Sequence, residues 1–160
     1  MAHNVKMNVE FKKLADQMPA LFERLNSKPP RTIDNLEDIP KKGKGIYVFH
    51  EKGKPLYVGR SNRLKDRLLE HGQEGSKPNS ASFAFILTRK KLGFPPNTKR
   101  KQVEQHQNFE DTFLGEKKRV RKMNICVVQI ADDKDQLKQA LFEIYAAVAL
   151  NTPYNDFSTH

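Results

Sequence analysis

The chain has 160 residues, a formal net charge of +10, 37% hydrophobic residues and a single cysteine. That length fits one domain with a real core, the composition is not depleted enough in apolar residues for disorder, and one cysteine excludes a disulfide framework or a cysteine-based zinc site. No apolar run is long enough to cross a bilayer and no signal peptide opens the chain, so a soluble, cytoplasmic protein is expected.

The charge is unevenly placed. Residues 1–40 carry six basic and six acidic side chains, 41–71 nine and three, 72–122 twelve and five, and 123–160 two and five. The excess falls on the middle of the chain, which points to a polyanionic partner, nucleic acid foremost.

In chain order, residues 1–8 read as an untethered start. Val9, Leu14, Met18, Leu21, Phe22 and Leu25 recur at helical spacing, and Pro19 predicts a kink or two shorter helices. Met18 and Phe22 are read as core or interface residues. Residues 26–44, with Pro29-Pro30, Pro40 and Lys41-Lys42-Gly43-Lys44, predict a loop whose lysines stand where they can grip a phosphate. Gly45-Ile46-Tyr47-Val48-Phe49 and Leu56-Tyr57-Val58-Gly59-Arg60 flank a turn containing Gly53 and predict a β-hairpin. Ser61 then precedes a helix with Leu64, Leu68 and Leu69 as its apolar positions and Gly72 as its stop signal. Arg67 and His71 are one helical turn apart and share a face. Tyr47, Tyr57, Arg67 and His71 can therefore converge on one patch.

Residues 81–92 admit strand or helix; caps at Asn79 and Ser80 and the basic Arg89-Lys90-Lys91 end favour helix, closed by Gly93 and Pro95-Pro96. Residues 97–122 predict a long exposed helix with a break at Gly115. Residues 123–130 predict a buried-type strand containing a buried thiol, Cys126. Asp132-Asp133 are expected to turn the chain and cap a helix over 134–150, with Leu137, Leu141, Ile144, Tyr145, Val148 and Ala149 apolar and Glu143 in its middle. His3, His50, His106 and His160 show no metal-ligand spacing with one another.

Gly45-Ile46-Tyr47 followed by Tyr57-Val58-Gly59 resembles the signature of the GIY-YIG nuclease superfamily, with Val in place of the middle Ile. The resemblance extends to Arg67 and His71 on the following helix, to Glu143 on a later helix, to Asn155 after Pro153-Tyr154, and to the basic Arg60 after the second triplet. It covers roughly residues 43–72 and 123–157. The implied fold is α+β: a small antiparallel three-stranded sheet at 45–50, 55–59 and 124–130, covered by helices at 62–71 and 134–150. The chain is expected to be a single domain, with 1–40 as an N-terminal helical extension and 73–122 as a basic helical insertion. Size and additions resemble the stand-alone nucleases and type II restriction enzymes of the superfamily.

The residue types suit phosphodiester hydrolysis, which needs an activated water, a cation at the scissile phosphate and charge compensation in the transition state. Glu143 can hold a hard cation, Mg²⁺ or Mn²⁺, which takes one carboxylate and keeps waters and phosphate oxygens for its other positions. Arg67 presents a planar fork to phosphate oxygens. Tyr47 and Tyr57 can hydrogen-bond or relay a proton for the attacking water, and His71 is a natural proton carrier. The resemblance implies a one-metal mechanism with Tyr47 beside the water; the residues leave open whether Tyr47 or His71 is the general base. Asn155 is read as orienting the site.

Arg60, Lys44, Arg63, Arg89, Lys90 and Arg100 are expected to bind substrate, with segments 89–101 and 117–122 holding the DNA backbone. A symmetric homodimer, built through the N-terminal and inserted helices, is the simplest way to cut both strands. Taken singly, each residue has a plainer reading: strand aromatics, a solvated helix face, a favourable helix-end histidine, a turn asparagine. The expected function is a metal-dependent DNA endonuclease. The alternatives are a nucleic-acid-binding module with this fold but little turnover, or a structure-specific or RNA nuclease.

Overall fold

The computed structural model describes residues 6–131 and 136–157. Residues 1–5, the Asp132-Asp133 cap, His3 and His160 lie outside the described residues.

The N-terminal helical pattern is split as Pro19 implied: α1 is Val9–Ala15 and α2 is Met18–Ser27, with the proline in the first turn of α2, where its missing N–H costs nothing. Asn8 caps α1, its Oδ1 accepting from Glu10 and Phe11 N–H. The 28–44 segment is irregular but far from loose. Ile33, Leu36 and Ile39 are buried, and Arg31 pairs with Ile125 through both backbone bonds.

β1 (Gly45–Glu51) and β2 (Lys54–Ser61) form the hairpin. Its turn places Lys52 at φ 50° and Gly53 at φ 76°, the pair of left-handed residues a two-residue turn requires. α3 is Leu64–Gly72. Its start is not capped by a helix-capping side chain; Ser61 Oγ instead accepts from Arg63 N–H at 2.9 Å, and Gly72 is the last helical residue rather than the residue beyond. α4 is Ser82–Lys91, a helix as favoured, but Asn79 and Ser80 do not cap it with their side chains.

The region expected as one exposed helix is α5 (Arg100–Glu104) and α6 (Phe109–Arg121), separated at 105–108 while Gly115 stays helical. Nor is it exposed throughout: Val103, Phe109, Phe113 and Val120 are buried. β3 (Asn124–Gln129) follows, then α7 (Gln136–Leu150).

The sheet is antiparallel with order β2-β1-β3, as expected for an α+β fold. β1, the central strand, is buried on both faces, so Ile46 to Phe49 form an unbroken apolar run. Tyr47 and Phe49 face a core built with Leu64 and Leu68 of α3, Phe83 of α4 and Phe113 of α6. Ile46 and Val48 face Met18, Leu21 and Leu25 of α2 and Phe142 and Ala146 of α7. The N-terminal and inserted helices therefore supply the two faces of the core. Cys126 is only half-buried, on the α2/α7 side.

Charged groups lock the inserted helices. Arg119 donates from Nε and Nη2 to the Glu51 carboxylate at 2.8 and 2.7 Å, and from Nη1 to the buried Glu116 at 3.1 Å. Lys117 is buried, donates to the Glu74 and Ser76 carbonyls and lies 4.3 Å from the Phe113 ring centroid. Arg121 pairs with Asp34 at 2.6 Å. In the 117–122 segment, expected to hold DNA, Lys117 thus points inward, and Arg119 and Arg121 are engaged with carboxylates. The reason is that α6 packs against α3 and α4 instead of standing in solvent.

Candidate active site

The hairpin register builds the first part of the site. Antiparallel pairing sets Tyr47 opposite Gly59 and Phe49 opposite Tyr57, so these residues share one face. Gly59 leaves room for the Tyr47 ring: a Cβ there would lie 2.2 Å from Tyr47 Cζ and 2.3 Å from its hydroxyl. The ring thus lies across the backbone of β2 and its hydroxyl reaches α3.

There Tyr47 Oη meets His71 Nε2 at 2.7 Å, both side chains fully buried. The imidazole packs edge-on against Tyr47 and Phe49. Its Nδ1 is buried and has no hydrogen-bond partner among the described residues. Burial, with the nearby Arg67 charge, pushes the His71 pKa down from 6.5 to about 3. It is therefore a neutral ring near pH 7, not the charged helix-end histidine that its position in the last turn of α3 suggested. Burial likewise drives the Tyr47 phenol far above its ordinary value, against the Arg67 charge and hydrogen bond.

Tyr57 stacks on Phe83, ring centroids 4.7 Å apart and planes within 7°. Burial raises its pKa; hydrogen bonding to Ser82 and the charge of Arg67 oppose that rise. Arg67 is held at the start of α4: Nη1 donates to the carbonyls of Asn79 (3.1 Å) and Ser80 (3.0 Å), and Nη2 to Ser82 Oγ (3.0 Å). The guanidinium, rather than a capping side chain, thus satisfies groups at this turn.

The rest of the site comes from the opposite face of the sheet, around the outer strand β2. Arg60 pairs across from Ile46, on the face that α7 covers. Arg60 Nε bonds Glu143 Oε2 at 2.8 Å, with the Glu143 side chain 19% exposed. Burial raises the Glu143 pKa, and Arg60 pulls it back. The Glu143 charge is close enough to raise the pKa of both Tyr47 and Tyr57.

Asn155 binds the backbone of β2 between the second tyrosine and the glycine. Its Oδ1 accepts from Val58 N–H and its Nδ2 donates to Val58 O, both at 2.8 Å, while Thr152 Oγ1 donates to Oδ1 at 2.8 Å. Tyr154 N–H bonds Leu56 O at 3.2 Å. This brings Asp156 near enough to Tyr57 to raise its pKa.

Tyr47, Tyr57, Arg67, His71, Glu143 and Asn155 are therefore gathered around β2. Among the residues expected to bind substrate, Arg60 is on Glu143, and Arg63 lies on the exposed side of α3 beside Asp66 and Glu70. Lys44 precedes β1, its carbonyl accepting from Ile130 N–H. Lys90 lies 5.0 Å from the Tyr154 ring centroid, and Arg89 and Arg100 line a groove along α4. Sequence reasoning missed Ser82, Phe83, Thr152 and Asp156. Thr152 and Asp156 flank the Pro153-Tyr154-Asn155 stretch, which is the signal that could have found them; Ser82 and Phe83 join the site only through the docking of α4.

Among the described residues no three His, Cys, Asp or Glu side chains group as metal ligands. One half-desolvated carboxylate, Glu143, fits the small donor set of a hard divalent ion that keeps its waters and takes phosphate oxygens. No helix among the described residues is long and apolar enough to cross a membrane.

No protein-family model matches the chain, and no solved structure matches it. It is similar to UvrABC system protein C of Aquifex aeolicus (strain VF5), 35% identical over 66 residues. That match covers 36% of this chain and 12% of the other protein. By geometry and by this partial similarity, the chain is an α+β protein with a tyrosine–histidine pair, an arginine and a carboxylate assembled around the outer strand of its sheet.

Proposed function

We propose that this chain is a metal-dependent DNA endonuclease that hydrolyses phosphodiester bonds with one metal ion, in the manner of the GIY-YIG nucleases that its motifs resemble. The observation that carries the reading is the Tyr47–His71 pair, 2.7 Å apart, with Arg67 and Glu143 close enough to act electrostatically on Tyr47. Packing alone needs no such set. The similarity to UvrABC system protein C supports the reading over about a third of the chain.

Glu143 would hold the ion, Mg²⁺ or Mn²⁺, which supplies Lewis-acid stabilisation at the phosphate. Arg60, which pairs with Glu143 at 2.8 Å, would be free to bind a phosphate oxygen if that carboxylate held the ion. Arg67 offers its charge to the developing pentacovalent phosphorane. Tyr57 orients the phosphate through its hydroxyl. Both Tyr47 and His71 resist charging when buried, so neither serves alone as base. A positioning role suits them: His71 Nε2 holds Tyr47 Oη, whose oxygen accepts a hydrogen bond from the attacking water and aims it at the phosphorus, the water's proton leaving to a phosphate oxygen. Asn155 and Gly59 fix the strand on which this geometry depends.

The test is cleavage of supercoiled plasmid with Mg²⁺, Mn²⁺ or EDTA, beside Glu143→Ala. Metal-dependent cleavage lost in the variant is expected. Salt-sensitive binding with no cleavage on plasmid, flapped or RNA substrates would replace the proposal with a binding module.

A further inference from the structure

A groove of about 730 Å³ runs between α4 and residues 97–101. It starts at two residues of the site: Ser82, which bonds Arg67, and Asp156, which follows Asn155. Its wall is apolar where Pro78, Phe85 and Ile86 line it, and its rim carries Arg89, Lys99, Arg100 and Lys101. A second hollow of about 320 Å³ continues past Ile86 and Arg89 toward Phe94 and Tyr154.

This combination does not suit paired DNA. A duplex stacks its bases inward and offers phosphates, for which a cationic surface suffices. An apolar concavity inside a cationic rim suits an unstacked base whose flanking phosphates pass over the rim. The volume lies in the ~300–1,000 Å³ range of sites for small organic groups, which suits a nucleotide but not a duplex. The carboxylate in the lining, Asp156, follows Asn155 of the site and shares the second hollow with Arg89 and Lys90.

We propose that this groove receives the unpaired strand of a DNA substrate, seating at least one unstacked base next to the phosphodiester held at the site. The inference rests on the nuclease reading and gives it a substrate class: DNA with a single-stranded tail, flap or bubble adjoining the cut. The apolar wall seats the base, and Lys99, Arg100 and Lys101 hold its phosphates.

The test measures binding without cleavage. The full chain is titrated in EDTA with a blunt duplex and with the same duplex carrying a single-stranded tail, 2-aminopurine being the first unpaired base. Preference for the tailed probe on the order of tenfold, with a change in 2-aminopurine fluorescence, is expected. Ile86→Asp should bring the two affinities toward parity. Because Ile86 is partly buried, the exposed pair Lys99→Glu/Lys101→Glu gives a second measurement. It should lower tailed-probe affinity and reduce the salt slope by about 2. Equal affinity of the wild-type chain for both probes overturns the groove assignment, as does preference retained in a folded Ile86→Asp chain. The two ideas separate cleanly: plasmid cleavage without tail preference leaves the nuclease reading standing, whereas tail preference without cleavage on any substrate leaves only the groove.

Discussion

Tyr47 Oη and His71 Nε2 stand 2.7 Å apart between β1 and the last turn of α3, and the far nitrogen of the imidazole has no partner among the described residues. If Nε2 accepts from the phenol, Nδ1 carries a buried, unanswered N–H. If Nε2 donates, the phenol proton is free to turn toward the site. Tyr47→Phe removes the bond in either tautomer. Metal-dependent cleavage should fall by about 10²-fold for a misplaced water, with stability lowered by ~1–3 kcal/mol for the newly unpaired nitrogen and DNA affinity retained. Single-turnover cleavage and urea melts check this, and an unchanged cleavage rate would remove Tyr47 from the chemistry.

The same histidine makes acid stability steep. Its folded pKa, about 3, is below the unfolded value of 6.5, so between these values the unfolded chain binds the extra proton. Stability is fully present above pH 6.5 and is lost progressively as pH falls toward 3, by up to about 5 kcal/mol. In urea melts from pH 7 to 4, His71→Gln should show a visibly flatter decline than the wild type. Parallel declines would mean that His71 is not held neutral by the fold.

Arg60 and a metal ion would compete for one carboxylate. Replacing Arg60 by Met frees Glu143, so binding of Mn²⁺ to the DNA-free protein should tighten about two- to fivefold, the equivalent of a half-exposed ion pair worth ~0.5–1 kcal/mol. Cleavage should nonetheless weaken, because the arginine is lost from the phosphate. Calorimetric titration with Mn²⁺ reads the first effect; unchanged affinity would place the ion away from Glu143.

Gly59 permits the lie of the Tyr47 ring. A Cβ 2.2 Å from Tyr47 Cζ cannot be accommodated without moving the ring. Gly59→Ala should cost ~1–3 kcal/mol, roughly 3–10 °C in Tm for a chain of this size. Cleavage should fall further than the stability loss accounts for. Thermal melts and cleavage of the refolded variant decide it.

The hairpin and α3 were legible because their signals are local: alternating strands, a turn glycine, a one-turn pair on a helix. The three antiparallel strands were legible too, but not their order: a hairpin and one further strand leave β3 free to join either edge, and in the structure it joins β1. α7 shows where such reading stops. Its outstanding apolar residues, Leu137, Ile144 and Val148, point to solvent, while Gln139, Phe142, Ala146 and Ala147 face the sheet. Gln139 earns its burial by donating from Nε2 to the carbonyls of Gly45 (3.0 Å) and Ser61 (2.9 Å), a bond no periodicity forecasts. The alanines let the helix come close. In the site, the motif positions were visible as residue types, whereas the three acceptors around Arg67 and the embedding of His71 arise only once α4 has docked on α3.

Residues 151–157 have a consequence beyond orienting Tyr57 and Gly59. β2 is an edge strand, and edge strands with unsatisfied backbone groups recruit strands from other chains. Here Asn155 imitates a neighbouring strand at Val58, and Tyr154 satisfies Leu56. On the far side, Arg31 does the same for β3 at Ile125 through both backbone bonds. A sheet of three strands is thereby closed to growth at these positions without a fourth. Loss of the Asn155 amide, as in Asn155→Leu, should therefore appear as concentration-dependent aggregation, a colloidal failure that precedes any loss of helix.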